Sequence, residues 1–130
     1  MNNSEQPVLL FIDDELFLLN AYQRMFRKSP WLCLYSQTIE QAHHFLEQYP
    51  VRLILCDYYL MDGNAAEFFL GLDNRFTGIK RILLSGSSDS LHPSLLNRAL
   101  VDVILQKPCT KNNLTTVIES CLRTTSSHSE

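Results

Sequence analysis

Asp57 ends a stretch that is otherwise apolar. Leu53-Ile54-Leu55-Cys56 leads into it after Arg52, Tyr58-Tyr59-Leu60 follows, and the turn formers Asp62, Gly63 and Asn64 come soon after. Three other apolar runs also end in polar groups. Val8–Ile12 runs into Asp13-Asp14, Ile82-Leu83-Leu84 into Ser85-Gly86, and Val103-Ile104-Leu105 into Gln106-Lys107-Pro108. If these runs stop at a common edge, three carboxylates, a hydroxyl and an amine meet there. Gathered carboxylates repel by roughly 4 kcal/mol at about 4 Å near a protein surface, so the cluster needs a proton or a cation. Hard oxygen donors with access to water suit Mg²⁺, which takes one or two carboxylates and keeps waters for substrate oxygens. Lys107 adds a fixed positive charge and Ser85 a donor. Metal, amine and hydroxyl around one carboxylate form a receptor for a phosphoryl group, with Asp57 as the nucleophile that becomes an acyl phosphate.

The elements that must place these groups are legible in the pattern. Runs apolar at successive positions suit strands covered on both faces, as in a parallel sheet. An Asp in such a run is costly to bury and belongs at the strand's carboxyl end, where open α/β sheets bind ligands. The first helix is expected from near Asp14 to about Lys28, with Leu18, Ala21, Tyr22 and Met25 at helical spacing and Pro30 as a stop. A short strand, Leu32 to Tyr35, follows. Thr38 and Gln41 read as a capping box for a second helix whose inner face is Ile39, Ala42, Phe45, Leu46 and Tyr49. Asn64 or a neighbour caps a third, with Ala65, Phe68, Phe69 and Leu72 inward. A fourth is expected over about Pro93 to Leu100, after the polar connection Ser85-Gly86-Ser87-Ser88-Asp89-Ser90. Thr110 caps the last helix, with Leu114, Val117, Ile118, Cys121 and Leu122 as its apolar stripe. Five β-then-α units with short connections give a doubly wound α/β domain over 7–123, with five helices. The leader 1–6 and the tail 124–130 are polar and expected to be disordered, the tail as a chain end or the start of a linker.

Composition excludes more than it selects. A chain of 130 residues, 45% hydrophobic and 19% charged, is an ordinary single globular domain, and a net charge of −3 gives no pull toward nucleic acid or a membrane surface. No apolar run reaches the roughly 20 residues of a spanning helix, so a cytoplasmic location is expected. The four cysteines, Cys33, Cys56, Cys109 and Cys121, form no CxxC pair, and the four histidines are read as neither ligands nor catalysts.

Asp13-Asp14, Asp57, Ser85 and Lys107-Pro108, in that order and each after a strand, resemble the receiver domain of two-component response regulators. The likeness runs from about Pro7 to Arg123. It implies the flavodoxin-like sheet order 2-1-3-4-5. It implies that Asp57 takes a phosphoryl group from a phosphohistidine on a sensor histidine kinase or phosphotransfer protein. Asp14, Asp57 and the carbonyl oxygen of Tyr59 would ligate Mg²⁺, with Asp13 acting largely through water. Lys107 would pair with phosphoryl oxygens, and Ser85 and the backbone near Gly86 would bond them. Phosphorylation would then reposition the fourth helix and fifth strand and present a face to a downstream effector domain or protein. The face of helix four, strand five and helix five is where the family often forms homodimers. Such a domain is a signalling module rather than an enzyme, and binds no nucleic acid itself.

The chain departs from the family at several positions. Met61 stands where a proline is usual, and Ala65 where a glycine is, although Gly63 serves if the loop is shortened. Leu100 replaces a common glycine and Cys109 a frequent aromatic. Ile104 replaces the Tyr or Phe whose ring turns inward on switching, and Tyr59 is a bulky neighbour for a water attacking the acyl phosphate. Ile104 is the main support for an alternative, a receiver-shaped interaction module that works without phosphorylation. A phosphatase of the haloacid dehalogenase type expects a second Asp where Tyr59 stands, and nucleotide binding lacks both the GxGxxG turn and the GxxxxGK loop.

Overall fold

The computed structural model describes residues 6–86, 90–96 and 99–123; the polar leader before residue 6, Ser87-Ser88-Asp89 and the tail 124–130 lie outside them. The strands are β1 (Val8–Ile12), β2 (Leu32–Ser36), β3 (Val51–Asp57), β4 (Tyr59–Leu60), β5 (Gly63–Asn64), β6 (Lys80–Ser85) and β7 (Val103–Gln106). The α-helices are α1 (Leu16–Met25), α2 (Ile39–Gln48), α3 (Ala65–Leu70) and α4 (Lys111–Arg123). Five strands pair in parallel in the order β2-β1-β3-β6-β7. The two-residue strands β4 and β5 form a separate antiparallel hairpin. Numbered by the main sheet alone, this is the expected order 2-1-3-4-5.

Successive apolar residues on the central strands serve two cores, which is why they do not alternate with polar ones. Leu10, Ile12, Ile54, Cys56 and Leu83 pack toward α2 and α3 with Ala42, Leu46, Phe68 and Phe69. Leu9, Phe11, Leu53, Leu55, Ile82 and Leu84 pack toward α1 and α4 with Leu19, Tyr22, Leu114 and Ile118. Each such side chain removed from water contributes about 1.5–3 kcal/mol, against the entropy of ordering it. Sequestering both faces fixes the strand register, and the register fixes which residue stands at each strand's end.

Two expectations about helices need correction. Helix α1 begins at Leu16, not near Asp14, because Asp13 Oδ1 accepts the Glu15 N–H at 2.9 Å and holds the acidic turn outside the helix. It ends at Met25, short of the expected Lys28. The fourth helix is not an α-helix over its described residues. Pro93–Leu96 forms a 3-10 turn, Asn97 and Arg98 lie outside the described residues, and Ala99-Leu100 is a turn. Four α-helices are therefore present among the described residues where five were expected. Within it the Ser94 N–H goes to the His92 ring at 3.1 Å and the Leu95 N–H to the His92 carbonyl at 3.0 Å, an i→i+3 bond. Beyond it the buried Arg81 side chain donates to the Leu100 and Phe76 carbonyls, and Asp102 accepts the Arg81 N–H at 2.8 Å, fixing the entry to β7.

Caps behave as the sequence predicts. Thr38 accepts the Gln41 N–H, Thr110 the Asn113 N–H, and Asn64 and Glu67 form a complete capping box on α3. Gln41 departs in detail, since its side chain reaches the Gln37 N–H rather than that of Thr38. Gly63 stands where the backbone requires a glycine. Its φ is +154°, and a methyl there would strike the Glu67 carboxylate and the Ile39 δ-methyl. Gly63→Ala is expected to destabilise the fold by about 1–3 kcal/mol. The urea midpoint should fall with an unchanged slope.

Candidate functional site: an acidic cluster at the strand ends

Parallel strands that stop together deliver their last side chains to one edge. Asp57 is the final residue of β3, with Leu84 of β6 as its register partner and Ser85 one step beyond. Asp13 follows β1 directly, and its N–H donates to the Ser36 carbonyl at 3.0 Å, pinning the turn to β2. Lys107 follows β7, with its N–H on the Ser85 carbonyl at 2.8 Å and a cis bond to Pro108. Backbone hydrogen bonds alone thus align all four loops.

The side chains converge as those loops imply. Asp13, Asp14 and Asp57 each offer a carboxylate oxygen within 4.8 Å of the others. Lys107 Nζ donates to Asp57 Oδ1 at 2.7 Å and to Asp13 Oδ2 at 3.5 Å. Asp13 is 1% exposed and Asp57 8%, while Asp14 is partly open to solvent. Oxygen donors with one side open to water fit Mg²⁺, and no soft donor competes among the three clustered groups.

The electrostatics follow from this crowding. Burial pushes the Asp13 carboxyl up to about 6. The Glu15 N–H and Lys107 pull it down, and the charges of Asp57 and Asp14 push it up. For Lys107, burial disfavours the ammonium, but the bonds and charges of Asp57 and Asp13 outweigh it and raise its pKa.

Ser85 is buried at the end of β6. Tyr59 is 53% exposed in β4, its ring edge-on to that of the buried Tyr58. Two residues were not singled out from sequence. Tyr22, read only as part of the apolar face of α1, is buried with its phenol pKa raised by burial and then by the charges of Asp13 and Asp57. Asp62, read only as a turn former, accepts the N–H groups of Ile39 at 2.8 Å and Glu40 at 3.2 Å at the start of α2. A cap supplied from 22 or 23 residues away leaves no local sequence signal.

No protein-family model matches the chain, and no curated protein matches it in sequence. Solved structures do match in fold. The signal receiver domain of an HD domain-containing protein from Pseudomonas fluorescens Pf-5 has a TM-score of 0.85 at 22% identity, covering 97% of this chain and 100% of that one. A CheY-like response regulator receiver domain from Methanospirillum hungatei JF-1 has a TM-score of 0.82 at 23% identity, over 91% and 94%. A two-component response regulator from Clostridium difficile gives 0.79 at 19% identity, over 91% and 97%. The chain therefore has the CheY-like receiver fold. Among the described residues no helix is long and apolar enough to cross a membrane.

The raised Asp13 pKa makes a signed prediction. A carboxyl at 3.8 when unfolded and about 6 when folded holds its proton more tightly in the folded state. Stability is thus unaffected by this group below about pH 4, falls as pH rises toward 6, and is then lower by up to about 3 kcal/mol. Asp13→Asn keeps the acceptor for the Glu15 N–H and removes the charge. In EDTA the variant should be more stable than wild type at pH 7.5, with the gap closing by pH 4; urea melts across that range test it.

Proposed function

We propose that this chain is a phosphoryl-accepting receiver domain of a two-component system, located in the cytoplasm, with Asp57 as the acceptor. The observation that carries the reading is the convergence of Asp13, Asp14 and Asp57 on one point at the sheet edge, with an amine 2.7 Å from Asp57. The receiver-like fold supports it.

On this reading each residue has a role. An Asp57 carboxylate oxygen attacks the phosphorus of a phosphohistidine on a sensor kinase or phosphotransfer protein. The P–N bond breaks as the P–O bond forms, and the imidazole leaves with a proton. Lys107, which pairs with the carboxylate beforehand, pairs with the phosphoryl oxygens afterward, so one cation serves ground and product states. Asp14 and Asp57, with the Tyr59 carbonyl, would hold Mg²⁺ directly, and Asp13 through water; the ion would neutralise phosphoryl charge as the group transfers. Ser85 and the Gly86 backbone donate to the phosphoryl oxygens from the end of β6. These contacts exist in one conformation only, which lets phosphorylation bias a two-state equilibrium toward binding an effector.

Intact mass after incubation with Mg²⁺ and acetyl phosphate tests the acceptor. Wild type should gain one phosphoryl group and Asp57→Asn none. No gain by wild type, repeated with a phosphohistidine donor, would favour the phosphorylation-independent module. The specific support for that second reading is Ile104, 38% exposed on β7 in place of a rotatable ring.

Tyr59 supplies a second test. Its exposed ring stands two residues past the acceptor and shields the acyl phosphate from attacking water. Tyr59→Asn should shorten the acyl-phosphate lifetime severalfold, read by loss of the phosphorylated mass over time. An unchanged lifetime would remove Tyr59 from the mechanism.

A further inference from the structure

Helix α2 contributes no side chain to the acidic cluster, yet its first turn is bonded to the loop after Asp57, and Gln37, the residue before its N-cap Thr38, is bonded to the Asp13-Asp14 loop. On one side Asp62, five residues past Asp57, accepts the Ile39 and Glu40 N–H groups through its two oxygens. Gly63 beside it leaves room for the Ile39 side chain, whose δ-methyl a Cβ at that position would meet at 2.8 Å. The path from Asp57 to Asp62 is short and braced. The Tyr58 N–H bonds the Leu84 carbonyl at 3.1 Å, the Ala65 N–H bonds the Tyr58 carbonyl at 2.8 Å, and the β4–β5 hairpin closes the loop. On the other side the Gln37 side-chain amide donates to the Asp14 carbonyl at 3.1 Å. Ser36, whose carbonyl takes the Asp13 N–H, bonds the Thr38 carbonyl through its hydroxyl at 2.7 Å.

We infer that the N-terminal turn of α2 is a readout of the acidic site, moved whenever Asp14 and Asp57 are drawn together. A cation or phosphoryl group at the cluster changes the spacing of two loops, one tied to that turn directly through Asp62 and the other through Gln37, which runs into the N-cap Thr38, all by hydrogen bonds of ordinary length. The turn cannot remain in register with both loops unless it shifts or one bond opens. The surface so controlled is a groove of about 420 Å³ lined by Ile39, Glu40, His43, His44, Glu47 and Asp62. Asp62 belongs to the tether and to the groove wall, so movement of the loop alters the groove directly. This route does not use Ile104 or the segment between β6 and β7, where Pro93–Leu96 is a 3-10 turn. It rests on the receiver reading only in requiring that the cluster bind a cation.

Amide NMR of the full chain tests both points separately, with Mg²⁺ alone as the probe. In wild type the Ile39 and Glu40 amides should shift on titration with the same apparent Kd as those of Asp14 and Tyr58. In the double variant Gln37→Ala/Asp62→Ala, the Asp14 and Tyr58 amides should still respond, with a Kd within about threefold of wild type. The Ile39 and Glu40 shift changes should fall to less than a third. If those two amides stay still in wild type while Asp14 and Tyr58 respond, the coupling is absent. It is also overturned if they move equally in the folded double variant, since the field of the ion then accounts for the shifts. If no amide at the cluster responds to Mg²⁺, the receiver reading fails and this inference fails with it. Circular dichroism of the double variant confirms that α2 is intact.

Discussion

Three carboxylates within 4.8 Å of one another are the constraint on which the rest of this molecule depends. At an effective dielectric near 20, each ionised pair at that separation costs about 3–4 kcal/mol, a large fraction of a small domain's total stability. Lys107 offsets part of this through its bonds to Asp57 and Asp13, and protonation of Asp13 can offset more. What remains is a concentration of carboxylate oxygens at a fixed point, of a kind that can hold a metal ion. It persists because the scaffold keeps the strand ends in register.

That scaffold is rigid for reasons written into the strands. Apolar residues at successive positions leave no face of the central strands for water, so a slip of one residue would bring the wrong side chains to the sheet edge. Asp57, Asp13, Ser85 and Lys107 could therefore be located from sequence as the polar residues that end apolar runs. The sheet order was a different matter. Parallel β–α units implied a doubly wound sheet, but which strands neighbour one another came from the resemblance, because pairing across the sheet leaves no mark in a single chain.

The features not legible in the sequence have a common physical origin. The fourth helix was read from Pro93 and the leucines after it, a pattern that fits the first turn of a helix. His92 accepts the N–H groups of Ser94 and Leu95, and the described residues form a 3-10 turn rather than an α-helix. Asp62 was legible as a turn residue and is one, yet its carboxylate caps a helix that begins 23 residues earlier. Gly63 was legible as a substitute for a missing glycine, and its φ of +154° shows why the position requires one. Local chemistry can be read along the chain, whereas a hydrogen bond between distant segments depends on the folded geometry.

The departures from the receiver pattern are unevenly distributed. The acidic residues and Lys107 meet at one sheet edge, while departures such as Met61, Leu100 and Ile104 lie outside that cluster. Under the proposed function, a phosphoryl site must satisfy fixed distances to a fixed chemical group, so its residues have few alternatives. An output surface has only to differ between two states, and any element bonded to the moving loops can provide that difference. With Ile104 exposed and unable to act as a rotating ring, the tighter mechanical connection is the one through Asp62 and Gln37 to α2. Distances of 2.8 to 3.2 Å leave little slack, so displacement at the cluster reaches α2 through hydrogen bonds rather than through side-chain repacking.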